Sequence, residues 1–244
     1  MPVYKTRKKT EAYGYPVGIL LLDYKGPFVP GDVGNATSYD YPVLYRTVEG
    51  ATSKRVFAGD PALEKAVVEA ARWLEAQGVK GISSDCGFFV NYQDLVAKSV
   101  NIPVYLSSLL QLPFLSATID DTRSIGVICA NSRALGTRVL EMTGIDPGRE
   151  VVIHGLENEP VFGTSVTGGS AQFDPDLVEA EVVDVAKRMV SAKPNMGAIL
   201  IECSMLPPYA RAVQDATGLP VFDFVTMIDY HHNAANRHAY AGHY

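Results

Sequence analysis

The stretches GVKGISSDCGFFVNYQDLVAKSVNIPVYLS, residues 78–107, and PNMGAILIECSMLPPYARAVQDATGLPVFDF, residues 194–224, decide the fold, because they follow one plan twice. In each, a short apolar run leads to a cysteine, Cys86 or Cys203, and a helix-length stretch follows. Tyr92 and Tyr209 stand at one common distance after their cysteines, and a longer common distance leads to Pro103 and Pro220, each opening Pro-Val. Short apolar runs bounded by turn residues read as buried parallel strands. Internal repetition implies two similar packed units whose equivalent points face each other across a cleft. The equivalent points here are thiols.

Outward from these frames the chain alternates strand and helix. Val17 to Asp23 reads as the first strand and Pro61 to Gln77 as an amphipathic helix with Leu63, Val67, Ala71 and Leu74 on one face. The Cys86 strand, a helix and a short strand at Val104 to Leu106 follow. SIGVICANS (124–132) then parallels YPVGILLLD (15–23), with Asn131 falling where Asp23 falls. Ser132 to Thr143 reads as a helix closed by Gly144, Val151 to His154 as a strand, and Asp176 to Ser191 as a helix started by Pro175. The Cys203 strand, a helix opened by Pro207 and Pro208, and a strand at Val221 to Phe224 complete the plan. This alternation predicts an α/β protein of two pseudosymmetric lobes, each a short parallel sheet flanked by helices, with the active-site cleft between them. The first lobe is expected over 1–122 and the second over 123–224, with 225–244 forming a helix that packs back on the first. GPFVPGDVGNATSYDYPVLYR (26–46) is too long for an ordinary connection and reads as a functional loop.

With 244 residues, 47% of them hydrophobic, the chain can bury roughly 70–75% of its unfolded surface without a staple. A net charge of −6 and the lack of a basic stripe argue against nucleic acid. Lys5, Arg7, Lys8 and Lys9 read as a solvated segment, and no run has the length of a membrane helix. The acidic composition, odd cysteine count and lack of a secretory segment point to a cytoplasmic protein and against a Cys86–Cys203 disulfide. Cys129 lies inside its apolar run and reads as core. His231, His232, His238 and His243 lack zinc spacing and read as a tail or an oligomer contact, and a homo-oligomer is expected. Gly168-Gly169 lacks the setting of a dinucleotide loop. No metal and no cofactor are expected.

A thiol at the carboxyl end of a parallel strand, just before a helix, stands where open α/β sheets place ligands, and the helix N-terminus favours the thiolate. A lone cysteine there is more often core; the duplicated frame is what argues for function. Cys86 and Cys203 facing one small carboxylate substrate would take the α-proton from one side and return it from the other. The backbone N–H groups of Gly87 and Ser204, with those of Phe88 and Met205 after them, are candidates to meet the enediolate. Asn131 and Ser132 would hold the substrate carboxylate or simply cap a helix. Asp85 and Glu202 directly precede the cysteines and would either face away or cap local amides.

At these residues the chain resembles the aspartate/glutamate racemase superfamily, whose two-lobed members use a pair of cysteines without cofactor. PGDVGNATSYDYPVLYR, SDCGFFVNYQ, SSLLQLP and ECSMLPPYARAVQDATGLPVFD resemble more narrowly the branch that includes the algal dimethylsulfoniopropionate lyases. Glutamate racemases carry Cys-Asn-Thr and Cys-Thr-His where this chain has Cys86-Gly87-Phe88 and Cys203-Ser204-Met205, and their Asp-Ser has become Asp23-Tyr24. Free glutamate is therefore poorly matched. Arylmalonate decarboxylases resemble this superfamily but keep only the second cysteine, whereas Cys86 is present. The resemblance implies a racemase or epimerase first. The alternative is a β-elimination lyase giving dimethyl sulfide and acrylate, in which the second cysteine need only bind or protonate. Phe28, Tyr39, Tyr41, Tyr45, Phe88 and Phe89 would then hold a sulfonium by cation–π attraction or form a packed lid. A non-catalytic small-acid binding protein is the third reading.

Overall fold

Val17–Leu21 (β1) carries no polar side chain and is buried along most of its length, as a strand covered on both faces must be. It is the centre of a parallel sheet in the computed structural model, which describes residues 3, 5–7, 9–164 and 174–242. Lys8, Gly168, Gly169 and His243 lie outside these residues. Val43–Thr47 (β2) pairs on one side of β1, with Val17 opposite Val43. On the other side lies Gly81–Ser84 (β3), which a single parallel bridge from Ile82 to Val104 extends. Ser53–Phe57 (α1) and Glu64–Gln77 (α2) connect β2 to β3. Leu63, just before α2, and Val67, Ala71 and Leu74 within it are buried, and Gly78 ends the helix at φ +91°. Gln93–Ala97 (α3) and Leu112–Thr118 (α4) complete the first lobe.

Ile125–Cys129 (β4) repeats the role of β1. A turn and Thr137–Glu141 (α5) lead to Val151–Gly155 (β5). Pro175–Ala192 (α6) follows, its first turn capped by Asp174, which accepts from the N–H groups of Asp176 and Leu177. Ala198–Ile201 (β6), Ala210–Thr217 (α7) and Val221–Phe222 (β7) finish a four-stranded parallel sheet of order β5-β4-β6-β7. Phe224–Ala235 (α8) opens with a capping box between Asp223 and Thr226. Its Phe224, Met227 and Ile228 join Val17, Ile19, Val43 and Tyr105 in one apolar cluster, so α8 covers a face of the first sheet.

Sequence expectations change at several points, the strand Val104 to Leu106 being only the bridge at Val104 and the first strand ending at Leu21. The excursion 26–46 ends as the edge strand β2, because Val43 is buried and Leu44 packs on the core. The helix expected from Ser132 shrinks to α5, since the Ser132 amide and hydroxyl are both engaged by Glu157 and Ser132 makes no cap. The strand Val221 to Phe224 stops at Phe222 because Asp223 caps α8. That helix ends at Ala235, beyond which the described side chains are exposed and offer no apolar face to dock. Among the described residues no helix is long and apolar enough to cross a membrane.

Candidate active site

The ends of β3 and β6 deliver Cys86 and Cys203 to one cavity, where each cysteine is only 7% exposed. Four rings line it: Phe57 packs on Phe88 at a centroid distance of 4.3 Å, and Tyr24 meets Phe28 edge-on at 6.1 Å. Asp85, Glu202, Ser53 and Ser204 supply its polar side chains, and no described lining residue is Lys, Arg or His.

The two-fold plan extends to hydrogen bonds. Asp85 Oδ1 accepts from the N–H of Leu22, the residue after β1, at 2.8 Å. Glu202 Oε2 accepts from the N–H of Ala130, the residue after β4, at 3.4 Å. Their own N–H groups donate to the matched carbonyls of Leu20 and Ile128. Each thiol is approached by the N–H of the residue two positions on, Phe88 for Cys86 and Met205 for Cys203. The lobes are tied directly at the site. The Ser204 hydroxyl donates to the Asp85 carbonyl, and the Ser108 hydroxyl to that of Ile201 at 3.0 Å.

The expectation that helix N-termini lower the thiol pKa values is overturned. Short 3-10 turns, Gly87–Tyr92 and Pro207–Tyr209, follow the cysteines instead, and burial pushes both thiols well above the ordinary range. Glu202 adds to the rise at both sulfurs. At Cys86 the Asp85 charge also outweighs the Phe88 N–H; at Cys203 the Met205 N–H outweighs the remaining carboxylates. Burial likewise raises the acids themselves, Glu202 to about 7 and Asp85 to about 8.

A third buried acid, Asp32, lies 1% exposed in the 26–46 segment and is raised to about 7 by burial. Its Oδ1 accepts from the Gly34 N–H at 2.7 Å. Its neighbours dock on the second cysteine's turn: Val33 N–H donates to the Ser204 carbonyl at 3.2 Å, and Gly31, at φ +97°, packs on Pro208. A carboxyl with a raised folded pKa holds its proton while the unfolded chain has released one near pH 4. Its stabilising contribution is therefore full below that value and lost as pH rises through about 7. Asp32→Asn is expected to gain about 2 kcal/mol more stability at pH 8 than at pH 5, seen as a larger rise in Tm at the higher pH. Equal gains at both would show that Asp32 is already ionised in the fold.

Of the residues the sequence singled out, Cys86, Gly87, Phe88, Cys203, Ser204, Met205 and Tyr24 meet at the cavity, together with Phe28. Asp23 does not line it; its exposed carboxylate accepts from the Gly50 N–H at 3.1 Å. Tyr39 is packed under α8, its hydroxyl donating to the Val33 carbonyl at 3.2 Å. Asn131 caps the turn after β4 by accepting from the Arg133 N–H, while Ser132 donates to Glu157 at 2.5 Å. Neither lines the cavity, which Ala130 reaches instead. Tyr41 stacks on His232 and bonds Asp229, Tyr45 bonds Val33, and Phe89 is core. Cys129 is fully buried in the core. Leu22, Ser53 and Phe57 line the cavity and carried no sequence signal, because they arrive from strand and helix ends set by tertiary packing. Among the described residues no group of three His, Cys, Asp or Glu side chains is arranged to hold a metal ion.

No protein-family model matches the chain. It is 38% identical over 222 residues to dimethylsulfoniopropionate lyase 7 of Emiliania huxleyi, covering 87% of this chain and 65% of that relative. It is 35% identical over 221 residues to the dimethylsulfoniopropionate lyase of Durusdinium sp. clade D, covering 88% of this chain and 73% of that one. The chain belongs to the dimethylsulfoniopropionate lyase family. It spans only 57% of the length of two other Emiliania huxleyi lyases of this family. The fold is that of the aspartate/glutamate racemase superfamily. Allantoin racemase from Klebsiella pneumoniae superposes with a TM-score of 0.64 at 17% identity, over 89% of this chain and 86% of that one. Unliganded arylmalonate decarboxylase does so with 0.59 at 19%, over 90% and 92%. This member of the dimethylsulfoniopropionate lyase family thus shares its architecture with racemases and decarboxylases.

Proposed function

We propose that the chain is a cofactor-independent carbon–sulfur lyase that removes the α-proton of dimethylsulfoniopropionate and releases dimethyl sulfide and acrylate. The observation that supports this best is the cavity's chemistry: two thiols and two carboxyls among four aromatic rings, with no cationic side chain in the described lining. A plain dicarboxylate or an acidic amino acid brings net negative charge that such a wall does not balance, and an ammonium group brings hydrogen-bond donors that ring faces do not satisfy. A sulfonium brings a cation without hydrogen-bond donors, which ring faces and buried carboxylates hold. Its charge also draws a neighbouring thiol back toward the thiolate, offsetting the burial that pushes it up.

We assign the base role to Cys203, where the Met205 N–H is opposed mainly by Glu202, whereas the Phe88 N–H at Cys86 is opposed by both Glu202 and Asp85. The C–H electron pair forms the new double bond as the Cβ–S pair leaves on sulfur. The N–H groups of Gly87 and Ser204, directly after the thiols, are the candidates to meet the carboxylate oxygens on which charge builds. Racemisation or epimerisation is the second reading, favoured by the matched thiols, since a proton can be taken on one side and returned from the other. Proton NMR in deuterated water with dimethylsulfoniopropionate and chiral α-substituted acids tests the choice. Acrylate signals are expected. Exchange of α-protons without bond loss would favour the racemase instead, and silence across the panel a binding protein.

A further inference from the structure

The peptide that faces the Cys203 sulfur is held from behind by the opposite lobe. A peptide unit joins one residue's carbonyl to the next residue's N–H, so the Ser204 carbonyl and the Met205 N–H that approaches Cys203 belong to one plane. That carbonyl accepts from the Val33 N–H at 3.2 Å, and the Val33 N–H shares its own plane with the Asp32 carbonyl. The Asp32 carbonyl accepts from the Ser38 hydroxyl at 2.6 Å, and the Ser38 oxygen accepts from the Gly31 N–H at 2.8 Å. The donors therefore all point one way in series, from Gly31 through Ser38, Val33 and Met205 to the sulfur. Among the described residues Cys86 has no such chain. The Phe88 N–H approaches it in the same manner, but no hydrogen bond from the second lobe reaches the Gly87 carbonyl.

Hydrogen bonds in series polarise one another, because a carbonyl that accepts makes the N–H on the other side of its peptide plane a stronger donor. The gain is largest where the last acceptor is an anion, since a donor toward a charged acceptor is stronger than one toward a neutral acceptor. We propose that Ser38 is a positioning residue for the base: its hydroxyl, acting through the Asp32–Val33 and Ser204–Met205 peptides, orients and strengthens the Met205 N–H that stabilises the Cys203 thiolate. The proposal rests on the reading of Cys203 as the base of a lyase, and it gives that assignment a physical cause, since this thiol alone is served from the opposite lobe. Ser38 is half-buried and does not line the cavity. The titratable groups that face Cys203 are its neighbour Glu202, Asp32, Asp85 and Tyr24, with the thiols of Cys86 and Cys129. None of them is a cation, so hydrogen bonds alone stabilise a thiolate there before the sulfonium arrives. Ser38 also closes its own loop, and that role is separable. Asn35 staples the same loop by donating from Nδ2 to the Phe28 carbonyl at 2.9 Å, and it takes no part in the chain.

Alkylation by iodoacetamide across a range of pH tests this, with Cys203 and Cys86 quantified separately by peptide mass spectrometry in wild type, Ser38→Ala, Ser38→Thr and Asn35→Ala. In Ser38→Ala, Cys203 is expected to label about threefold more slowly at every pH below its midpoint, a rise of about half a pH unit, while Cys86 labels as in wild type. Ser38→Thr keeps the hydroxyl and should restore the wild-type rate. Asn35→Ala should label as wild type does, whatever it does to Tm. An unchanged Cys203 rate in Ser38→Ala would overturn the proposal. So would an equal slowing at both cysteines, or an equal slowing in Asn35→Ala, either of which makes Ser38 a loop staple. The pH profile of kcat/KM for dimethylsulfoniopropionate should move with the Cys203 labelling. If wild type makes no dimethyl sulfide, the lyase reading fails, and the labelling still decides whether Ser38 acts on this thiol.

Discussion

Cys203→Ser is expected to slow acrylate formation from dimethylsulfoniopropionate by about a thousandfold, and Cys86→Ser by only about tenfold. Elimination needs one base. A hydroxyl in place of the Cys203 sulfur keeps the Met205 N–H contact but is far less acidic than a thiol, so little anion forms beside Glu202. Cys86 sees both Glu202 and Asp85, and on the proposed mechanism it only lines the cavity beside the substrate. A two-base racemase behaves differently, losing its activity equally through either cysteine. The check is the initial rate of acrylate release by the separate variants. Equal large losses would replace the single-base mechanism, and a larger loss at Cys86 would reverse the assignment of the base.

A permanent cation should bind far better than its neutral counterpart. 3-(Trimethylammonio)propionate is expected to inhibit with a constant about 30-fold lower than 4,4-dimethylpentanoate, the factor that about 2 kcal/mol of desolvated cation–π attraction gives. Both carry a carboxylate and a branched end, so the comparison isolates the charge. The preference should grow with pH between about 6 and 8, because Glu202, near 7, and Asp85, near 8, become negative over that range and face the cavity. Competitive inhibition measured at several pH values decides it. Equal binding of the two, or a preference that shrinks as pH rises, would mean that the acidic wall does not meet the ligand's charged end.

Repetition made the fold legible before any coordinate. The matched frames around Cys86 and Cys203 fix two equivalent strand ends, and equivalence puts both thiols, with Gly87, Phe88, Ser204 and Met205, at one cavity. What the sequence hid depends on direction and company. Asp23 and Asn131 stand at matched positions, yet the chain turns there, and both side chains serve local amides. Tyr39, Tyr41 and Tyr45 share a segment with Phe28, but three tyrosines pack under or beside α8 while the phenylalanine faces the cavity. β2 was concealed by its Pro-Gly-rich approach. Asp32 gave no sign at all, since an aspartate between glycine and valine in a turn-rich stretch reads as solvated.

The docking of α8 bears on how the protein is made. Val17 and Ile19 emerge early in synthesis, but the Phe224, Met227 and Ile228 that cover them emerge only after the whole second sheet. Until then that face of β1 is covered only in part, by Val33, Tyr39 and their neighbours, so the first lobe cannot be finished on the ribosome ahead of the second. Chain reversal over such a separation makes closure slow and exposes an apolar surface meanwhile. The apparent duplication therefore does not yield two self-sufficient halves: a fragment ending before Phe224 should aggregate or recruit a holdase, and supplying the 224–235 helix in trans should rescue it.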